Sequence, residues 1–375
     1  MPTPQDRDAV LAGRVIMSAQ AWELKFEISP PLRLPAGCVA SRQYVVLELG
    51  LSDGSVGTAY VLTRGAPVYE PTQTLAAWLV GQPLTNAIAT SAEHRGTSPP
   101  QRARALADIC AWDLLGKVLN VPTWRLLSAD AARRRALAVA GYRRHDESPE
   151  QFAHRLHELA GRGTSAVKVA AGADDLETAE LLAAVRAHDQ SLDLVVDMGF
   201  AAPSVGAALT SIATWRGFDL AWVEDPFPPQ DASATAAVRA HRPGALIGAG
   251  DEAPPDALHD LLAHDAVDVL RVDATTTGGL TGLLDIARVT GRRMSLHVYP
   301  EVHRHVAMTL PSVEEIELFL PSDPYDFVDR FIRAEEMEVD LVGEIHPPNT
   351  LGLGMSFDRE SAGANVVRAC HYHVD

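Results

Sequence analysis

Lysine is scarce in this chain. Lys25, Lys117 and Lys168 are the only three among 32 basic residues. Lys168, which falls inside a predicted strand, is therefore not part of a general lysine background. Cysteine is equally sparse. Cys38, Cys110 and Cys370 lie far apart and form no CxxC pair, which excludes a disulfide framework and a cysteine zinc site. Cys110, in the apolar helical run ALADICAWDLL, reads as a core residue. Long hydrophobic runs are missing. No stretch approaches the roughly 18 apolar residues of a membrane span. The opening, MPTPQDRDAV, has neither a basic n-region nor an apolar h-region, so a soluble, cytoplasmic protein is expected. An excess of positive charge is also lacking. The formal net charge of −17 argues against nucleic acid or an anionic membrane as partner. Simple solubility accounts for it, and a small anionic substrate stays open because a local metal can reverse the sign in one cleft.

What is present is apolar material and a period. Hydrophobic residues make up 47% of the 375, ample for a sizeable core. The length suggests two domains of roughly 150 to 200 residues each. Residues from about 13 to 62 read as a meander, with SDGS as a hairpin turn signal. Inside it, AWELKFEISPPLRLPAGCVAS reads as a long loop with an exposed Trp22, either functional or a plain surface connection. TQTLAAWLVG and RARALADICAWDLLGKVL show apolar positions at helical spacing, and Asn120-Val121-Pro122 stops the second.

From about Ala136 strand and helix alternate. Eight strand candidates follow: ALAVAGYR, SAVKVAAG, LDLVVD, LAWVED, ALIGAGD, VDVLRV, RMSLHVY and EEIELFL. Stretches such as LETAELLAAVRAH and GLTGLLDIARVTG join them as helices. The pattern predicts an α/β fold, a (β/α)₇β TIM-like barrel with an N-terminal α+β capping domain. The expected boundaries are 1–130 for the cap, 131–345 for the barrel and 346–375 for a C-terminal segment. An open doubly wound sheet is the alternative. It lacks support because no Gly-rich fingerprint follows the first strand and because ligand-type residues end five consecutive strands.

Those residues are Asp197, Glu224, Asp251, Asp273 and His297, spaced 27, 27, 22 and 24 apart. Strand ends at the carboxyl face are where a barrel keeps its chemistry. One acid there is more often a solvated loop residue or a helix N-cap. Three converging carboxylates are costly unless a cation sits between them. All-oxygen ligation points to Mg²⁺ over Zn²⁺. Asp251 is preferred to Glu252 as third ligand because it directly follows the strand run. Asp273 and His297 end adjacent strands, so the carboxylate can orient the imidazole as a general base or acid; a structural or metal-binding histidine is the plainer alternative. Lys168, at a barrel mouth, can reach a substrate anion or else snorkel to the surface. Glu317 in the eighth strand can meet a bound carboxylate, whereas Glu314 and Glu315 read as solvated. His303 and His305 read as supporting residues on the next helix. Tyr142, Arg143, Arg144 and His145, after the first barrel strand, could bind distal hydroxyls or a second carboxylate.

The motif set AVKVAAGAD, VVDMG, WVEDPF, GAGDE, RVDATTTGGLTG, MSLHVYPE and IELF resembles the enolase superfamily, in its mandelate-racemase-like subgroup. RARALADICAWDLLGKVLNVPTWRLL and NTLGLGMSFD resemble the cap's closing helix and the C-terminal return segment. The resemblance implies Mg²⁺-assisted removal of the proton α to a carboxylate, giving an enediolate stabilised by the metal, as in the general scheme for this superfamily. It implies Asp197, Glu224 and Asp251 as metal ligands, Asp273 and His297 as a dyad, and Lys168 and Glu317 as contacts to the substrate carboxylate. The family tends to form symmetric oligomers. Two positions depart from its pattern: Ala170 stands where a second lysine is usual (the alternative register, with Lys168 itself as that second lysine, fits the following GAD less well), and Gly199 where asparagine is common. One evident base favours loss of the α-proton followed by a β-hydroxyl, the dehydration of a sugar acid to a 2-keto-3-deoxy acid. A racemase, epimerase or lactone cycloisomerase, or a non-catalytic metal- and acid-binding barrel, are the alternatives. Specificity is expected from the cap segment of about residues 20 to 42.

Overall fold

The computed structural model describes the chain except for residues 1–3, 35–36, 93–98, 129, 145, 162–163, 242–243, 320–322, 338, 341 and 375. After a short helix, Pro4–Gly13, come three antiparallel strands: β1 (Ile16–Leu34), β2 (Gly37–Leu51) and β3 (Val56–Leu62). A C-terminal strand, Val366–His373, returns to pair with β1, setting Trp22 opposite Ala369. The long loop expected around residues 20–42 is instead the paired tip of this sheet. Leu24, Phe26 and Ile28 are buried while Lys25 and Glu27 are exposed, the alternation of a half-buried strand. Pro30 and Pro31 fall where the β1–β2 register shifts, between Glu27 and Leu32. Such an irregularity tolerates residues that donate no ladder hydrogen bond. Trp22 is buried, not exposed, with its ring 4.5 Å from that of Phe357.

Eight parallel strands then form the barrel: β4 (Arg134–Gly141), β5 (Ala166–Ala170), β6 (Asp193–Asp197), β7 (Leu220–Glu224), β8 (Leu246–Ala249), β9 (Val269–Val272), β10 (Arg293–Leu296) and β11 (Val313–Leu318). Pairing of β11 with β4 closes the ring. All eight coincide with strand runs legible in the sequence. Side chains alternate across each strand. In β6, Leu194 and Val196 face outward and pack with Leu181, Val185, Ile212 and Trp215 of the surrounding helices. Val195 faces inward with Leu137, Ala166, Trp222 and Val269, a small apolar plug inside the barrel. One step further along each strand, the same inward rows carry Lys168, Asp197, Glu224 and Arg271. The plug and the site are thus successive layers of one set of side chains.

Helix Pro99–Val118 ties the cap to the rest. Its buried Asp113 accepts hydrogen bonds from the Thr58 amide (3.0 Å), the Leu353 amide (2.8 Å) and Lys117 Nζ (2.7 Å). One carboxylate therefore pins the cap sheet, the helix and the C-terminal segment, and burying it unpaired would be costly. Among the described residues no helix is long and apolar enough to cross a membrane.

Candidate active site

The backbone turns sharply where the barrel strands end. Gly199, Asp225, Glu252, Val298 and Tyr299 all have positive φ, from 44° to 60°. A non-glycine residue there costs roughly 1–2 kcal/mol, and these residues follow strands that carry the candidate ligands. Gly250 has φ +130°, and a Cβ on it would sit 2.3 Å from the carbonyl oxygen of Arg271. Only glycine lets the chain pass that close and deliver Asp251 to the barrel mouth.

Register brings the acids together. Ala170 pairs with Asp197 and Asp197 with Glu224. Carboxylate oxygens of Asp197, Glu224 and Asp251 lie within 4.8 Å of one another. Glu224 is fully buried and also accepts a hydrogen bond from Trp222 Nε1 at 3.1 Å. The Gly199 amide donates to Asp197 Oδ1 at 2.8 Å, so the residue in the place of the usual asparagine holds its neighbour through the backbone. Lys168 Nζ stands among the acids, 2.8 Å from Glu224, 3.2 Å from Glu317, 3.5 Å from Asp251 and 3.6 Å from Asp197.

A second cation was not anticipated. Arg271, in β9, is completely buried. Its Nε donates to Asp251 Oδ1 (2.8 Å) and lies 3.1 Å from Glu224 Oε2. Its two terminal nitrogens bond Ser295 Oγ (2.6 Å) and Glu317 Oε2. The available signal was a charge inside the apolar run VLRV, two residues before Asp273 and so on its face. A guanidinium there has to be paired.

These contacts set the protonation. Burial works against charge on Lys168 and Arg271, but Glu224, Glu317 and Asp251 outweigh it, and both hold their protons well above their usual ranges. Burial pushes Glu224 up to about 8, against Arg271 and Lys168 and with help from Asp251 and Asp197. Asp251 goes the other way: burial is overcome by Arg271, His297 and Lys168, and its carboxyl is held well below the usual range. Buried Asp225, beside them, is raised by burial and by the charges of Asp251, Glu224 and Asp197. Four acids thus surround two fixed cations, with Asp225 beside them. That surplus of oxygen ligands and negative charge fits a hard divalent ion.

Asp273 and His297 do meet, with His297 Nδ1 3.4 Å from Asp273 Oδ2. Asp273 also accepts from the Thr275 amide at 2.6 Å, and burial raises its carboxyl to about 6. Arg64 Nη2 lies 3.2 Å from His297 Nε2. The Arg64 donor, nearer to Nε2 than Asp251 Oδ2 at 3.5 Å, suits Nε2 as the lone-pair nitrogen with the proton on Nδ1, toward Asp273. Burial, opposed by Asp251 and reinforced by Arg64, Lys168 and Arg271, keeps the imidazole neutral. Glu252 sits beside the dyad. Arg64 pairs with it at 2.8 Å, and Arg102 pairs with it as well. Both arginines come from the cap, so this acid fastens the cap to the barrel.

Other expected residues separate. His303 bonds the Ala274 amide (3.1 Å) and the Val298 carbonyl (2.6 Å). His305 bonds the Trp124 amide and the Leu353 carbonyl, each at 3.2 Å. Both are structural. Glu315, expected to be solvated, is buried and paired with Arg293 at 2.8 Å; only Glu314 is exposed. Tyr142 lines the site cavity. Arg143 turns away to the Glu147 carbonyl (2.8 Å) and Glu177 (2.5 Å), Arg144 gives its backbone amide to Glu147, and His145 lies outside the described residues. Cys110 is buried, as expected.

The cavity above the acids has a volume of about 180 Å³. Lys168, Ala170, Asp197, Gly199, Asp251, His297 and Glu317 line its barrel side. Leu34, Arg42, Tyr44, Tyr60, Leu62 and Arg64 line it from the cap. Two hydrogen bonds close the seam: Tyr60 OH donates to Glu301 Oε2 (2.6 Å), and the Leu62 amide donates to Tyr299 OH (3.0 Å).

Residues 16–128 match the N-terminal domain of the mandelate racemase / muconate lactonizing enzyme family, and residues 151–362 match its enolase C-terminal domain-like partner. A D-galactarolactone cycloisomerase of Agrobacterium fabrum is 26% identical over 371 residues, covering 92% of this chain and 97% of that protein. A putative L-rhamnonate dehydratase of Caldivirga maquilingensis is 23% identical, covering 72% and 70%. Among solved structures, the L-talarate/galactarate dehydratase of Salmonella typhimurium LT2 superposes with a TM-score of 0.84 at 21% identity, over 98% of this chain and 95% of that one. An enolase from Bradyrhizobium complexed with magnesium and mandelic acid superposes with a TM-score of 0.79 at 25% identity, over 95% and 99%. The chain belongs to the mandelate racemase/muconate lactonizing enzyme family of the enolase superfamily.

Proposed function

We propose that this enzyme dehydrates a sugar acid to a 2-keto-3-deoxy acid, with His297 as its one base. The observation that carries this reading is an asymmetry of the cavity wall. His297, backed by Asp273, lines one side. Ala170 lines the wall at β5, which β11 and β4 separate from β10. Lys168 lines the same cavity, but its ammonium is held among four carboxylates and keeps its proton well above the usual range, so it is not available as a second base. Racemisation requires a proton donor on the second face, and a methyl group offers none.

The residues divide the work as follows. Asp197, Glu224 and Asp251 would hold Mg²⁺, which would supply charge stabilisation to the substrate carboxylate as its α-proton leaves. Lys168 and Arg271 position Glu224, Asp251 and Glu317 and limit the repulsion among them. His297 Nε2 takes the α-proton, so the Cα–H pair becomes a Cα–Cβ double bond. The same imidazolium then gives its proton to the departing β-hydroxyl, which leaves as water. The enol product ketonises to the 2-keto-3-deoxy acid. Asp273 orients the ring and stabilises its charged form between the two transfers.

A second reading has support from the cycloisomerase relative, which shares 26% identity over nearly its whole length. Lactone opening by the same α-proton removal expels a carboxylate in place of hydroxide, and so needs no acid at the leaving group. Product mass separates the two: dehydration loses one water, and cycloisomerisation loses nothing. The test is a panel of sugar acids and their lactones incubated with the Mg²⁺-loaded protein. Formation of 2-keto acid 18 mass units lighter than the acid substrate (the mass of one water) is expected. Products of unchanged mass, or none from the whole panel, would count against dehydration.

A further inference from the structure

We infer that Arg42 binds a second carboxylate at the cap end of the cavity, so that the substrate is a dicarboxylic sugar acid. This rests on the dehydratase reading for the chemistry at the other end of the same cavity.

Arg42 lies in β2 and is 8% exposed. It lines the cavity, and its Nε has no hydrogen-bond partner among the described residues. A buried guanidinium with an unused donor is costly unless something else supplies the acceptor. Its position is defined by Phe319, whose ring centroid is 5.8 Å from the guanidinium carbon. Phe319 is two residues beyond Glu317 on the same inward row, so Arg42 sits above the acid cluster and toward the cap. The cavity therefore has Lys168 among the metal-type carboxylates at one end and two cap arginines at the other; Arg64 is engaged by Glu252 and His297, which leaves Arg42, among the described residues, as the cation with a free donor.

The surroundings narrow the ligand. Tyr44, Tyr60, Glu301 and Asp326 line the same region. Glu301 is engaged by Tyr60 at 2.6 Å. Asp326 is raised to about 7, by burial first and then by Glu301, so near neutral pH it offsets only part of the charge on Arg42. One planar guanidinium with the carboxyl of Asp326 near it suits a singly charged, forked acceptor. A carboxylate fits that description, and a doubly charged phosphate does not. The neighbouring phenols and acids can serve the hydroxyls between the two ends.

The experiment compares galactarate, glucarate and mannarate with galactonate, gluconate and mannonate, all with Mg²⁺ and the full chain. Turnover is measured with the native protein, and binding by calorimetry with His297→Asn, whose turnover is expected to be about 10²–10⁴ slower. The native protein is expected to prefer at least one diacid over its matched monoacid by about 100-fold in kcat/KM or more, because a site built for a charged group rejects the analogue lacking it. Arg42→Gln should erase that preference and leave monoacid binding within about threefold, and Arg42→Lys should restore part of it. Equal use of both classes, or an equal loss for both in a folded Arg42→Gln protein, would overturn the inference. So would binding of neither class. Keto acid formed from monoacids alone would leave the dehydratase reading standing and sink the role of Arg42. Diacid binding that depends on Arg42, without keto acid, would do the reverse.

Discussion

Replacing Arg271 with methionine is expected to destabilise the protein by about 3–5 kcal/mol at pH 8, the cost of leaving a buried ion pair with one partner removed. The structure supplies the reason. Arg271 is fully buried and touches Asp251, Glu224 and Glu317, all of them buried. Methionine approximates its length and removes its charge. At roughly 2.1 cal/mol/K per residue, a chain of 375 residues unfolds with an entropy near 0.8 kcal/mol/K, so the loss corresponds to about 4–6 °C in Tm. The pH dependence has a definite sign. Glu224 is already raised to about 8, and Arg271 is the strongest charge opposing that rise. Without it the carboxyl rises further. A carboxyl raised on folding costs stability above its folded pKa and costs progressively less as pH falls through it. The gap between variant and native protein should therefore be widest near pH 9 and narrow toward pH 6. Thermal melts across that range, without divalent ions, measure it. A gap below about 1 kcal/mol, or one that widens as pH falls, would refute the idea that Arg271 balances the acid cluster.

Three further outcomes follow from the same contacts. Gly250→Ala should cost about 2 kcal/mol or more through backbone strain and a clash with the Arg271 carbonyl, and should weaken Mg²⁺ binding by displacing Asp251; an unchanged melt and unchanged affinity would contradict this. Asp326 is raised to about 7 from the ordinary value near 3.9. The native protein should lose up to about 4 kcal/mol from this group as pH climbs from 4 through 7, and Asp326→Asn should remove that part of the pH slope in melts. Mg²⁺ at about 100 times its Kd should raise native stability by about 2.7 kcal/mol. Chelation should reverse the gain, and Asp197→Asn should largely abolish it in the same melts.

The barrel was legible because its strands are short apolar runs closed by Gly or Pro, and the acid series was legible because it falls at their ends. Register did the rest, since a period of two fixes which side chains share the inward rows. The cap tip was misread. Prolines in EISPPLRLP suggested a loop, although the alternation in ELKFEI was already that of a strand; pairing with β2 and a register shift overrode local propensity. Arg271 was overlooked because a single charge in an apolar run carries no spacing signal. Arg42, Arg64 and Arg102 were out of reach for a different reason. They enter the site from the cap, more than 200 residues from His297 for Arg64, and only tertiary packing brings them there. Glu315 shows the opposite error: its place near the strand start suggested solvent, but Arg293 covers it.

The most direct test of one-base dehydration is turnover in D₂O with Mg²⁺, followed by NMR of both product and remaining substrate. The expected result is a 2-keto-3-deoxy acid carrying deuterium at C3, with recovered substrate of unchanged configuration. His297→Asn should lower the rate by about 10²–10⁴, the usual contribution of a positioned base. Recovered substrate that has inverted at Cα and gained deuterium would reveal a donor on the wall at Ala170 and contradict the mechanism.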